Sequence, residues 1–260
     1  MTLALARPDL SLRALRLWQR NWDVLRNTWL EELVWPFVEP LVTLLALGVG
    51  LGRIVQLPGD ESYLEFVAPG LLAIFPMWAA TSEAGWSSYF RLESERIFDA
   101  VMATPLSVDD ITTGEVLWAA TRGLISTLFI LVVIAAFGTV ASPLALLVPL
   151  AAVPACLFFA AISLCNTAVA RSVRSLNYFF VLYITPQFWL SGAWFPLEEL
   201  PEWAQRLSWW VPSAHAAELF RGLVRGGLEW GHMGHLAWLA VAALLFYALA
   251  LLLMRRRLVR

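Results

Sequence analysis

Apolar residues in this chain come in runs of membrane length, divided by short polar stretches. Six runs are read along it, at about 33–52, 64–90, 112–138, 143–170, 177–195 and 235–254. A helix rises ~1.5 Å per residue, so about 20 residues cover a hydrocarbon core of ~30 Å. Each run is therefore predicted to cross a membrane. The runs at 64–90, 112–138 and 143–170 exceed that minimum and are expected to tilt, kink or project. Pro36, Pro40, Pro69, Pro76, Pro149, Pro154 and Pro186 interrupt the runs. Broken turns of this kind supply hinges and free carbonyls beside a cavity. Gly48 and Gly52 have the GxxxG spacing that lets two helices approach closely.

Three segments depart from the pattern. In residues 1–32, Leu10, Leu12, Leu15, Leu17, Trp18, Trp22, Leu25 and Trp29 alternate with Arg7, Arg13, Arg16, Arg20 and Arg26. This predicts an amphipathic helix lying in the interface, arginines toward lipid phosphates; a protein partner for the same face is the other reading. The arginines leave no unbroken apolar stretch, so no cleavable signal peptide is expected. Between the second and third runs lies the charged insertion 91–105. Leu92, Ile97, Phe98, Val101 and Met102 are spaced to line one side of a helix, while Arg91, Glu93, Glu95, Arg96 and Asp99 dominate the rest. Pro105 disfavours helix at Thr104, and Ser107 with Asp110 reads as the cap of the next helix. Such a bounded helix at a membrane surface is a handle for something else to grip. The third segment, 196–234, is broken by Pro196, Pro201 and Pro212 and carries Trp203, Trp209 and Trp210. It is predicted to form two short helices dipping into the outer leaflet. The second, about 213–224, stops at Gly226 and Gly227 and has His215, Glu218 and Arg221 on one face.

Composition agrees with the pattern. The chain is 60% hydrophobic and 15% charged, against about 45–50% apolar for a soluble domain. The fold class is all-α polytopic membrane protein, as one transmembrane domain over 1–260. Every one of the 18 basic residues is arginine. Without lysine the chain cannot build a Walker-type phosphate loop or a Schiff base. With the N-terminus inside, thirteen arginines fall on the cytosolic side and four outside, which satisfies the positive-inside rule. Both termini and the 91–105 insertion are thereby predicted to be cytosolic. Arg122 remains within the third run.

Charges at membrane depth are costly and are candidates for function. Here they are Glu39, Glu65, Glu83, Glu115 and Arg122. Glu115 and Arg122 are seven residues apart, too far to pair directly, so Arg122 is expected to find Glu83 or Glu39 on another span. Cys156 and Cys165 fall within an apolar run and read as buried free thiols. His232 and His235 flank the last run and suit headgroups better than a metal. No HExxH, metal-spaced cysteine set or GxSxG occurs. No catalytic residue, no metal site and no nucleic-acid partner is predicted.

The chain resembles the permease subunits of ABC-2-type exporters, closely the NodJ-like (nodulation-factor exporter) group. The residues that carry the resemblance are Glu39 and Pro40 with 47–52, 63–72, Glu95 and Arg96 through 103–105, and 114–122. Ser191, Gly192, Phe195, Pro196, Leu197, Leu200 and Pro201, then Pro212, His215, Glu218 and Arg221, complete it. The resemblance implies a half-transporter without its own ATPase site, working as two permease copies with two ABC-type ATP-binding subunits. ATP and Mg would sit on that partner. It implies a bacterial inner-membrane location and an amphipathic substrate such as a lipo-oligosaccharide, glycolipid or drug. It makes 91–104 the coupling helix, with Arg91, Glu93, Glu95, Arg96, Phe98, Asp99 and Met102 toward the ATPase. It makes 201–224, with Trp203, His215, Glu218 and Arg221, the re-entrant region, and spans one and five the path and dimer interface. A rival class is an integral-membrane enzyme on lipid-linked sugar, using Glu83, Glu115 or His215; a third is a passive channel or scaffold.

Overall fold

The computed structural model describes residues 9–55 and 62–259. Arg7 and Arg260, two of the arginines assigned to the cytosolic side, lie outside the described residues. Every regular element among those described is helical.

Helix α1 (Ala14–Asn27) buries Ala14, Leu17, Asn21 and Leu25, three or four residues apart, on one stripe. That stripe packs on α6 (Val108–Ala136), and Trp18 Nε1 donates to Thr121 Oγ1 of α6 at 2.9 Å. The apolar face predicted for the interface is thus shared: its buried side meets this chain's own third span, and Leu12, Leu15, Trp22 and Val24 stay exposed.

Among the described residues, five helical stretches are long and apolar enough to cross a membrane: Trp29–Gly50, Tyr63–Glu93, Val108–Ala136, Pro143–Val169 and Trp230–Leu258. The first is α2 (Trp29–Thr43) running into a π-helical segment, Leu44–Gly50. The second is α3 (Tyr63–Ser82), a π turn at Glu83–Ser87, and α4 (Ser88–Glu93). A short helix, α5 (Ile97–Met102), precedes α6. Ser107 and Asp110 form a reciprocal capping box at the start of α6, where sequence placed the cap. The fourth stretch enters through a 3-10 turn, Pro143–Leu147, into α7 (Val148–Val169). The last is α12 (Trp230–Leu258).

The predicted crossing at 177–195 takes a different form. Helix α8 (Val173–Phe179), a π turn at Phe180–Ile184 and α9 (Thr185–Trp189) run on without a break. They span about 25 Å at the helical rise, and the helix ends at Trp189. Two groups close the chain there. Ser191 Oγ and Trp194 Nε1 both donate to Phe188 O at 3.0 Å, and Gly192 takes φ +71°.

The α3 helix is the centre of the bundle, buried over most of its length, with α6, α7 and α11 (Pro212–Arg225) against it. Close approach is needed where α3 meets the turn after α9: a Cβ on Gly70 would stand 2.6 Å from Ala193 Cα. Backbone cannot retreat as a flexible side chain can. Gly70→Val is therefore expected to cost about 1–3 kcal/mol through overpacking, read as a lower melting temperature of the detergent-solubilised protein.

Candidate transport site and coupling elbow

The π turn at Glu83–Ser87 builds the site. An extra residue per turn re-aims side chains and frees backbone carbonyls. Side chains of α7 take those carbonyls up: Ser163 Oγ donates to Thr81 O at 2.8 Å and Thr167 Oγ1 to Ala84 O at 2.8 Å. Gly85 allows this, since a Cβ there would lie 2.9 Å from Ser163 Oγ. The widened turn aims Glu83, Trp86 and Ser87 into a cavity of about 520 Å³. Its other walls are Glu31, Glu32, Pro36 and Glu39 from α2, Phe75, Trp78 and Ser82 from α3, and Arg122 and Ser126 from α6. Trp78 and Trp86 both pack on Phe180, with ring centroids 5.7 and 5.5 Å away.

A chain of charges runs from this cavity into the bundle. Arg122 Nη2 meets Glu32 Oε2 at 2.7 Å, and its Nε stands 3.7 Å from Glu83 Oε2. Glu83 Oε1 accepts from Arg91 Nη2 at 2.8 Å, and the same nitrogen reaches Glu115 Oε2 at 2.6 Å. Glu115 is fully buried and also accepts from Ser88 Oγ at 2.5 Å and, more weakly, from Asn21 Nδ2 at 3.5 Å. Glu83 thereby has two cations and Glu115 a cation and neutral donors, the condition on which buried charge is tolerated. Arg122 does find Glu83, one of the two partners expected for it, and does not pair with Glu115.

Two site residues sit elsewhere than sequence placed them. Glu65 is exposed and belongs to the capping box of α3, where Ser62 N donates to its Oε2 at 3.0 Å. The polar cavity does not include it. Arg91 is on α4, at the C-terminal end of the second span, and points into the ion network.

The single helix predicted over 91–104 is likewise divided. Ser94 N and Glu95 N both donate to Phe90 O, at 3.0 and 2.9 Å, which ends α4. Arg96 then takes φ 52°, ψ 32°, the left-handed region, which costs a non-glycine residue ~1–3 kcal/mol. Arg91 and Phe98, seven residues apart, would share a face of one straight helix; the break at Arg96 redirects the chain between α4 and α5. Phe98 is fully buried and Met102 partly so, packed on the core. Glu95, Arg96 and Asp99 remain exposed on the outside of the elbow, while Glu93 is paired with Arg257 of α12.

At the opposite end of the bundle, α10 (Glu202–Ser208) and α11 form the two short helices read from 196–234. Trp203, Trp209 and Trp210 are exposed, but α11 is largely buried among α3, α7 and α12. Arg221 pairs with Glu218, donates to Gly192 O at 2.8 Å and lies 4.8 Å over the Phe66 ring. His215 turns to α12 instead: its Nδ1 lies 2.6 Å from His235 Nδ1 and its Nε2 2.7 Å from Trp209 O. Burial lowers the His215 pKa below the ordinary imidazole range. A neutral ring with Nε2–H donating to Trp209 O accepts at Nδ1 from His235. No group of three metal-ligating side chains occurs among the described residues, and His235 faces His215. Cys156 and Cys165 are free and buried.

Glu31, Glu32, Asn21, Ser88, Trp78 and Trp86 were missed by sequence reasoning. Trp78, Ser82 and Trp86 repeat every four residues around Glu83, a signal that was available. Nothing local in the sequence marks Glu32 or Asn21 as partners of α6.

The ABC-2 type transporter family model matches residues 14–224. Nodulation protein J of Rhizobium leguminosarum bv. trifolii is 35% identical over 98% of this chain and 97% of its own length. Nodulation protein J of Sinorhizobium fredii is 30% identical over 93% and 92%. The inner membrane transport permease YadH of Escherichia coli is 24% identical over 77% and 82%. The apolar spans and the full-length likeness agree, and the chain belongs to the ABC-2 type transporter family as a membrane permease subunit.

Proposed function

We propose that two copies of this permease, joined to two ATP-binding subunits, export an amphipathic molecule across a bacterial inner membrane. The observation that carries this reading is the elbow between α4 and α6. It is anchored by buried Phe98, braced behind by the Arg91 network, and presents Glu95, Arg96 and Asp99 outward. A push there is transmitted through packed, ion-paired helices instead of being lost in a loose loop. Closure of ATP-loaded partners would press two such elbows and shift α3 against α6.

In this topology both termini are cytosolic, so the number of crossings is even and the 173–189 helix, with the turn after it, is the fifth. Its outward side chains Tyr178, Val181 and Leu182, and those of α2 such as Val34 and Val42, are exposed apolar surface suited to a second copy. The cavity joins carboxylates to two tryptophan faces, a wall that suits hydroxylated or cationic headgroups and disfavours anionic ones. A glycolipid or lipo-oligosaccharide fits that description, and so does a cationic drug. The enzyme reading needs a carboxylate free to move a proton. Glu83 and Glu115 are instead held by arginine.

The test is reconstitution with the ATPase encoded nearest to it. Export of a fluorescent amphiphile that needs ATP is expected. Flux without ATP would point to a channel, and turnover of lipid-linked sugar by the permease alone would support the enzyme.

A further inference from the structure

Three helix ends meet at the base of the elbow, and ion pairs tie each of them to the other two. Arg91 of α4 holds Glu115 of α6 at 2.6 Å. Arg255 of α12 donates from Nε to Asp109 Oδ1 of α6 at 2.6 Å. Arg257, two residues further on, pairs with Glu93 at the end of α4. The side chains of Arg255 and Arg257 are only 12% and 16% exposed, so these are not the solvated surface pairs that contribute little. Two turns back along α12, Tyr247 OH lies 2.7 Å from Thr113 Oγ1 and fastens α12 to α6 again. A frame tied along three sides resists a shear that two ties would allow. Glu93 and Asp109 stand on either side of α5, so the last turn of α12 grips both roots of the elbow.

Helix α12 is 29 residues long, without a proline or a π turn, and extends about 43 Å at the helical rise. The spans that begin with α2 and α3 each carry two prolines and a π segment, and α7 carries Pro154. Breaks of that kind are where helices bend. An unbroken, packed helix instead passes a displacement at one end to the other. Toward its far end α12 is joined to α11. Trp238 stacks on His215 with ring centroids 4.4 Å and planes 22° apart, and His235 Nδ1 lies 2.6 Å from His215 Nδ1. We propose that α12 is a strut that carries motion of the elbow to α11, with Arg255 and Arg257 as the positioning residues that fasten it. The proposal rests on the exporter reading, which supplies the motion at the elbow.

The experiment reconstitutes the full chain with its ATPase and compares hydrogen exchange without nucleotide and with ATP trapped by vanadate. In the wild type, exchange is expected to change in peptides covering α5 and in those covering 226–238, where α11 passes into α12. The unfastened variant is Arg255→Gln with Arg257→Gln and Asp109→Asn, the last so that no buried carboxylate loses its cation. It is expected to keep the response in α5 and to lose that at 226–238. Its flux per ATP is expected to fall about tenfold, an ordinary size for coupling between sites, while hydrolysis and melting stay close to wild type. A purely structural role would lower melting, hydrolysis and flux together. Arg257→Glu, which leaves Arg255 and Asp109 in place, keeps the test open if the triple variant does not fold. It is expected to lower flux per ATP, and Glu93→Arg added to it is expected to restore that ratio. An unchanged response at 226–238 in the unfastened variant would overturn the strut, as would wild-type flux per ATP in Arg257→Glu or a swap without rescue. In the wild type, a response at α5 without one at 226–238 would overturn the strut alone. No response at α5 would sink the exporter reading and the strut with it.

Discussion

Arg91→Met is expected to lower the stability of the solubilised protein by about 3–5 kcal/mol, the usual effect of removing one partner of a buried ion pair. Glu115 is fully buried, and among the described residues its only cation is Arg91. Once that is gone, one hydroxyl and one distant amide remain to it. Glu83 keeps Arg122, so the damage concentrates at Glu115. The loss is therefore expected to be repaired in large part by Arg91→Met with Glu115→Gln, because a neutral amide does not need the cation. Thermal melting of the wild type, both single variants and the double variant measures the coupling. A single Arg91→Met variant that melts with the wild type would show the network carries no stability. An Arg91 that faced an ATPase, as the undivided helix implied, would instead leave melting untouched and reduce only transport.

Glu95→Gln, Arg96→Gln and Asp99→Asn together are expected to abolish ATP-driven export while insertion and melting stay within about 0.5 kcal/mol of wild type, as for exposed substitutions generally. All three side chains are exposed, so the folded permease does not depend on them; the proposed docking of an ATP-binding subunit does. The backbone strain at Arg96 is unchanged by the swap, which separates side-chain chemistry from elbow geometry. Phe98→Ala is the complementary probe. It deletes a fully buried ring and is expected to cost about 3–5 kcal/mol, destabilising the elbow with every docking charge in place. Loss of flux in the triple variant with unchanged melting assigns those residues to coupling. Full ATP-driven flux in it would remove that role.

The arrangement also explains why the charged network sits beside the cavity. Glu83 belongs to both: one oxygen binds Arg91 at the elbow's root and the other faces Arg122 at the cavity wall. A shift of α4 that stretched the first contact would alter charge in the cavity. This gives the proposed push a route to the proposed cargo site through groups already in contact.

Patterning by itself determined the class of this protein. Runs of about 20 apolar residues, the Ser107–Asp110 cap, the paired short helices before α12 and the buried thiols are consequences of local composition and spacing, and they were legible one residue after another. Tertiary packing decided what the charges do. Glu32, ninety residues from Arg122, and Arg91, twenty-four from Glu115, meet only because α2, α4 and α6 are neighbours. The same packing drew Arg91 and Phe98 inward, broke one amphipathic helix at Arg96, and made Glu65 a cap instead of a cavity wall. A helical period says which side chains share a face; the cost of burying an unpaired charge decides, in three dimensions, which face turns inward.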